Sequence, residues 1–420
     1  MNHTPLNAWV GKGSPIRELV KLQRRPTDFR FHVWGTRISQ DLEARLPETA
    51  DRFVGCGISE DDEHAIAAAC GEALERYIFA LTTDLLEELP LQPPDDSITA
   101  DFIFNLPFLL PKTIARTAWC SQAIKSPRRI LPAWKLAADG KRLATKLPIE
   151  FLTPNESANL FQTTNGMACG TTLQDAIDRG LREVIERDAL MLVWLTKTGG
   201  TFIDPSTVLP GDYLDQVQRM ENRGIKTILR DISTEFGYRV ILAIIGHFPA
   251  TGAPIFSFGA GVGANFELAA KHGFREACLG WKGISWRIGL SGRRPSLSEG
   301  EDALPQSFAE HSELYFEPEI FPQVSFLFEE TTNIQPLSPN YPLPITHYPL
   351  PNDIFILDLT TPDVREMGAY VVKVIVPGLV PFYFADLGSD ELAVSRLPTT
   401  VGGMGIDSDR TLNPLPHPWP

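Results

Sequence analysis

The pattern Glu-x-x-Glu-Arg occurs twice, as Glu72-Ala73-Leu74-Glu75-Arg76 and as Glu183-Val184-Ile185-Glu186-Arg187, each within a stretch that reads as helix. At spacings of three and four residues, the two carboxylates and the guanidinium stand on one helical face, a turn apart. The neighbours on that face are apolar. Projected at about 100° per residue, Phe79 falls beside Glu72, Glu75 and Arg76, while Leu190 and Trp194 fall beside Glu183, Glu186 and Arg187. The second helix continues Ala189-Leu190-Met191-Leu192-Val193-Trp194-Leu195, apolar on every side, which predicts a helix in the domain interior. Carboxylates carried inside must be paired or must hold a cation. Two readings follow: pairing within each helix, Glu72 with Arg76 and Glu183 with Arg187 or Arg179, or one cation site shared between the two helices.

Composition narrows the field. A chain of 420 residues, 43% hydrophobic, is long enough for a large core. Its formal net charge of -14 and pI near 5.1 argue against sequence-independent binding to nucleic acid, which needs a basic surface. The five cysteines, Cys56, Cys70, Cys120, Cys169 and Cys278, are scattered and form no C-x-x-C pair, so neither a disulfide framework nor a zinc site is expected. The start, Met1-Asn2-His3-Thr4-Pro5, does not read as a secretory signal, and no stretch approaches the ~18 apolar residues of a membrane span. A cytoplasmic protein with no nucleic-acid or membrane partner is expected.

Helices are predicted at about 61–82, with Ser59 as N-cap, at about 172–197 and at about 266–282. Strands are predicted at 228–232, 240–245, 354–357 and 370–376, the second being a continuous apolar run suited to a sheet covered on both faces. Helices and strands mix without regular alternation or repeat, which predicts an α+β (mixed α/β) fold in one large domain. We expect a basic, mixed lead-in segment over 1–50 that serves as a sheet edge or as a docking segment, a catalytic domain over 51–400, and a proline-rich tail over 401–420. Residues 100–160, broken by prolines, are the least readable.

Three further features bear on chemistry. Glu276 sits on the third helix, after Gly259-Ala260-Gly261-Val262-Gly263, glycines that read as a tight turn or as a phosphate cradle. Lys373, among valines in a strand, either protects a sheet edge or meets an anion such as phosphate. The last residues, Pro414-Leu415-Pro416-His417-Pro418-Trp419-Pro420, form a stiff, extended end, which either frays or places its own carboxylate at a fixed spot. No nucleophile and histidine stand in an arrangement that supports triad chemistry.

Together these segments resemble the YcaO family of ATP-dependent peptide-modifying enzymes, specifically its azoline-forming cyclodehydratases, from about Gly55 to Pro420. The first motif matches at Glu72, Glu75 and Arg76, and the second, with its preceding turn at Asn165-Gly166, at Glu183, Glu186 and Arg187. Glu276, the strand and turn Val374-Ile375-Val376-Pro377-Gly378-Leu379, and the alternating-proline end match as well. Ala68, Thr171 and Leu279 depart from the polar residues usual there, Asp175 keeps a carboxylate in place of glutamate, and Lys373 replaces arginine.

The resemblance implies ATP and Mg2+ as cofactors. Glu72, Glu75, Glu183, Glu186 and Glu276 become magnesium ligands, and Glu72, Glu75, Arg76, Asp175, Glu183, Glu186, Arg187 and Lys373 nucleotide contacts. The Pro420 carboxylate becomes a catalytic candidate. The implied reaction converts Cys, or Ser and Thr, of a ribosomally made precursor peptide to thiazolines or oxazolines, by phosphorylating the amide oxygen. A thioamide- or amidine-forming enzyme and a non-catalytic scaffold are the alternatives. Implied partners are the precursor peptide, a separate E1-like leader-binding protein, because the chain has little room for a fused one, and a flavin-dependent azoline dehydrogenase; a homodimer within such a complex is compatible.

Overall fold

The computed structural model describes residues 9–11, 13–25, 28–43, 53–88, 108–109, 129–137, 140–148, 164–249, 254–291, 308–329, 353–382, 392–393, 400–401, 404–405, 412–413 and 415–419. In chain order, the elements that build the site begin with β1 (Ile16–Lys21), β2 (His32–Ile38), β3 (Gly55–Ser59) and α1 (Asp62–Glu88). Then come β4 (Ile130–Leu136), β5 (Arg142–Pro148), β6 (Met167–Gly170), α2 (Leu173–Thr196), β7 (Thr201–Ile203) and α3 (Gly211–Glu221). The rest are β8 (Lys226–Asp231), β9 (Arg239–His247), β10 (Ile255–Gly263), α4 (Phe266–Ser291), α5 (Phe308–Leu314), β11 (Ile354–Asp358) and β12 (Tyr370–Ile375).

These strands form three antiparallel sheets, ordered β1-β2-β3, β10-β9-β8-β7 and β5-β4-β11-β12-β6. The α+β fold expected from the sequence is the fold observed. Helix α2 lies between two sheets, which is why it is apolar all round. Its Leu190, Leu192 and Trp194 share one core with Val240, Leu242 and Ile244 of β9 and with Ile356, Val372 and Val374 of the five-stranded sheet. The alternate residues of β9, Ile241, Ala243 and Ile245, pack with Ala270, Phe274 and Ala277 of α4, so the continuous apolar strand is covered on both faces. On the far face of the five-stranded sheet, Met167, Cys169 and Val371 meet Cys70, Ala73 and Ile78 of α1. The layers run α1, sheet, α2, sheet, α4.

Glycines set how closely the outer helices lie. A Cβ on Gly57 would stand 1.9 Å from the Ala65 carbonyl oxygen, and one on Gly261 2.2 Å from that of Ala269. Gly259, Gly261 and Gly263 therefore form neither a turn nor a phosphate cradle: they belong to β10 and let α4 rest on its backbone. Two local expectations also change. Asp61, not Ser59, caps α1, its carboxylate accepting the His64 N–H at 2.9 Å, while Ser59 closes β3 opposite His32. Lys373 does not guard an edge, because β12 is paired on both sides, with Leu357 and Met167 as its cross-strand partners.

The alternating-proline end is held in the core. Trp194 Nε1 donates to the Leu415 carbonyl at 2.9 Å, Ser312 Oγ to that of Pro418 at 2.7 Å, and the Tyr315 hydroxyl to that of Pro416. Trp419 is 1% exposed and meets Phe258 edge to face. Cys56, Cys70, Cys169 and Cys278 form no disulfide; Cys120 lies outside the described residues. Among the described residues, no helix is long and apolar enough to cross a membrane.

Candidate active site

The two Glu-x-x-Glu-Arg segments face each other, Glu183 acting on Glu75 and Glu72 on Glu183. On α1, Glu72 pairs with Arg76 at 2.8 Å and also accepts the Cys56 N–H of β3 at 2.8 Å. One turn on, Glu75 accepts the Cys169 N–H of β6 at 2.7 Å. Both strands are sheet edges, so the first motif satisfies backbone donors that would otherwise be unpaired. On α2, Glu183 accepts the Gly166 N–H and faces Lys373. Gly166 has φ +74 and lies so close to β12 that a Cβ would stand 2.1 Å from the Val374 carbonyl oxygen, which accounts for a glycine at this turn.

Within-helix pairing is thus present but incomplete. Arg187 lies 3.7 Å from Glu183, and its guanidinium sits over the Phe382 ring at 4.1 Å. Glu186, only 9% exposed, has neither a hydrogen bond nor an ion pair among the described residues. The five carboxylates Glu72, Glu75, Glu183, Glu186 and Glu276 face four cations, Arg76, Arg187, Arg275 and Lys373. The surplus appears in the acidities. Glu75 is held well above the usual carboxylate range by burial and then by the Glu183 charge. Glu183 is pushed up to about 7 and Glu186 to about 8, burial being the main cause in each. Glu276 also repels Glu186, and burial raises Glu276 itself. Lys373, 5% exposed, is lowered to about 8 by burial, against the favourable Glu183 charge. Charges coupled across α1, α2, α4 and β12 lie in one site.

Beside this acidic wall the field is positive. His272 on α4 is lowered to about 4, first by burial and then by Arg275, Arg182 and Arg179. Its Nδ1 is buried without a hydrogen-bond partner. A cluster of carboxylates thus adjoins a cluster of basic side chains.

Among the described residues, no three His, Cys, Asp or Glu side chains converge as a ready-made metal cage. The donor set nonetheless suits magnesium, a hard ion that takes carboxylate oxygens and, beside a nucleotide, uses one or two of them per ion together with phosphates and water. Asp175 stands apart from the other carboxylates: it closes the start of α2, accepting the Thr171 N–H at 3.3 Å and pairing with Arg179 at 3.0 Å. Pro420 lies outside the described residues.

Sequence reasoning missed Asp188, which is fully buried and accepts the Val380 N–H at 2.8 Å. That bond ties the segment after β12 to α2 and sets Phe382 beneath Arg187. Phe382 also packs against His417, with ring centroids 5.0 Å apart, which links the second motif to the tail. A charged residue inside an apolar helix was the available signal for Asp188.

An α+β scaffold that gathers carboxylates, one of them buried, beside basic side chains has the donor types that a cation and a polyanion need. The chain belongs to the YcaO family: the model described as YcaO cyclodehydratase, ATP- and Mg2+-binding, matches residues 56–380. The family's cofactors are ATP and Mg2+. An uncharacterized protein of Methanothermobacter thermautotrophicus is 26% identical over 54% of this chain and 59% of its own length. A Rhizobium leguminosarum bv. trifolii protein, described by its place in the tfuA 3' region, is 27% identical over 47% and 46%. The chain thus spans about half the length of these curated relatives.

Among solved structures, a heterocyclase in complex with substrate and cofactor superposes with a TM-score of 0.63 at 16% identity, covering 92% of this chain and 55% of that one. The E. coli microcin synthetase McbBCD complex with pro-MccB17 bound gives 0.61 at 14% identity, covering 96% of each. YcaO from Methanopyrus kandleri, bound with AMPPCP and Mg2+, gives 0.54 at 16% identity, covering 87% of this chain and 86% of that one. These likenesses establish the fold.

Proposed function

We propose that this chain is an ATP-dependent peptide cyclodehydratase that converts Cys, or Ser and Thr, of a ribosomally made precursor to thiazolines or oxazolines. The observation that carries this reading is Glu186, a buried carboxylate with no hydrogen bond or ion pair among the described residues, set beside Glu183 and Glu276, which repel it. Simple salt bridging would leave no such surplus, which disfavours the scaffold reading.

Glu72, Glu75, Glu183, Glu186 and Glu276 are the proposed magnesium ligands, and Arg76, Arg187 and Lys373 neutralise phosphate oxygens. Asp175 contributes from the start of α2. The thiol or hydroxyl of the substrate adds to the preceding amide carbonyl, and the new oxygen anion must become a leaving group. Bound with Mg2+, ATP supplies the phosphoryl group for that oxygen, so that phosphate departs, the amide N–H gives up its proton, and ADP is the other product. Pro420 is the proposed group for moving that proton, supported by the packing of residues 415–419 beside Arg187 through Phe382 and His417. Partners on this reading are the precursor, an E1-like leader-binding protein and a flavin-dependent azoline dehydrogenase, all in the cytoplasm.

The test is Glu186→Gln, with ATP hydrolysis and peptide mass as readouts. Lost hydrolysis in a folded variant supports the assignment; undiminished peptide modification sinks it. A product lighter by one water per ring at a Cys, Ser or Thr marks an azoline, loss of water at an amine with those side chains intact marks an amidine, and exchange of an oxygen for sulfur marks a thioamide.

A further inference from the structure

A groove between the segment joining β1 to β2 and helix α3 departs from the acidic character of the chain. Arg24, Arg25 and Arg30 from the first, Arg219 from the helix and Arg223 from the turn after it surround a cavity of about 330 Å³. The one carboxylate lining it, Asp28, is already engaged, by Lys282 at 2.5 Å and by the Arg25 N–H at 3.0 Å. Arg219 Nε donates to the Asp215 carbonyl at 3.0 Å, a contact that leaves its charge in place. In a chain of net charge -14, five guanidiniums around one cavity make a local field that gathers anions.

The floor is apolar and fixed. Phe29 and Met220 are 7% and 2% exposed, and Phe29 meets Phe274 of α4 edge to face, with centroids 5.6 Å apart. Gln216, 6% exposed, accepts the Arg30 N–H at 2.8 Å and joins the two walls. The groove is therefore built before any ligand arrives, which lowers the ordering cost of binding.

We propose that this groove binds an acidic segment of the peptide that the chain modifies, and so rests on the function proposed above. Inorganic phosphate would occupy only part of a cavity of about 330 Å³ and of its guanidinium rim. An acidic segment fills more of both and sets several carboxylates on the arginine forks. A long nucleic acid would run off the patch onto a repelling surface. The placement also suits delivery: the groove adjoins α4, which carries Glu276, and the sheet whose edge strand binds Glu72.

The probe is a fluorescein-labelled peptide, Asp-Glu-Leu-Asp-Glu-Phe-Glu, followed by anisotropy against the full chain, with its Asn/Gln counterpart as control. Arg24→Glu with Arg219→Glu should weaken binding by about ten-fold or more, Lys at both positions should largely restore it, and raising salt from about 50 to about 300 mM should weaken it in the wild type. All three proteins should hydrolyse ATP equally, since neither position belongs to the catalytic machinery. Equal binding of the neutral peptide, or unchanged affinity in the charge-reversed protein, overturns the proposal. So does displacement by inorganic pyrophosphate at the same concentration as unlabelled peptide, or tighter binding of a single-stranded RNA oligonucleotide. Peptide binding that persists in a chain without ATP turnover would sink the proposed function and leave the groove standing.

Discussion

Replacing Glu186 with Gln should stabilise the nucleotide-free protein while abolishing ATP turnover. Burial holds the Glu186 carboxyl at about 8, against an ordinary 4.5. Because the folded state keeps this proton and the unfolded state gives it up, stability is fully present below about 4.5 and declines as pH rises towards the folded value. At about 1.4 kcal/mol per pH unit, the loss reaches ~3 kcal/mol at pH 7 and ~5 kcal/mol well above pH 8. The isosteric amide does not titrate, so Glu186→Gln should gain about that much at pH 7 and nearly nothing at pH 4.5. The assay is urea denaturation in EDTA at several pH values, comparing the two slopes of stability against pH. Parallel slopes would refute the reasoning, and so would a variant less stable at pH 8, since loss of a stabilising ion pair has the opposite sign. Lost hydrolysis alongside gained stability marks a residue kept for its charge rather than for the fold.

Other outcomes follow from the same geometry. Magnesium–ATP binding at pH 7 should release more than one proton, since Glu183 near 7 is half protonated, Glu186 near 8 mostly so, and Glu75 is raised as well; calorimetry in buffers of different ionisation enthalpy measures it, and Glu186→Gln should lower the release by about one proton. Gly261→Ala should cost several kcal/mol, roughly 2–5, because its Cβ meets α4 backbone; thermal melting reads the loss. Trp194→Phe removes the donor to the Leu415 carbonyl and should cost about 1–3 kcal/mol, with faster proteolysis near residue 415. Adding one glycine after Pro420 tests its proposed carboxylate better than deleting 416–420, which would also remove buried Trp419; azoline formation should fall while the melting temperature holds.

The second motif was legible because its helix continues into seven apolar residues, a pattern only a helix between two sheets can use. The first was legible by repetition, although its contacts with Cys56 and Cys169 were not, since nothing local says which sheet edges a helix meets. Gly259, Gly261 and Gly263 show why the rest was hidden. A glycine signals either freedom of φ or lack of a side chain, and what separates the two is its partner, here Ala269, Gly273 and Ala277 on α4. Read together, those small residues at spacings of four predict a helix lying on a strand. Lys373 was ambiguous for the same reason, because strand pairing decides between an edge and an interior. The arginine groove has walls almost two hundred residues apart, so only folding joins its charges. What the local pattern recovers is chemistry carried by one element; what it leaves out is chemistry shared between two.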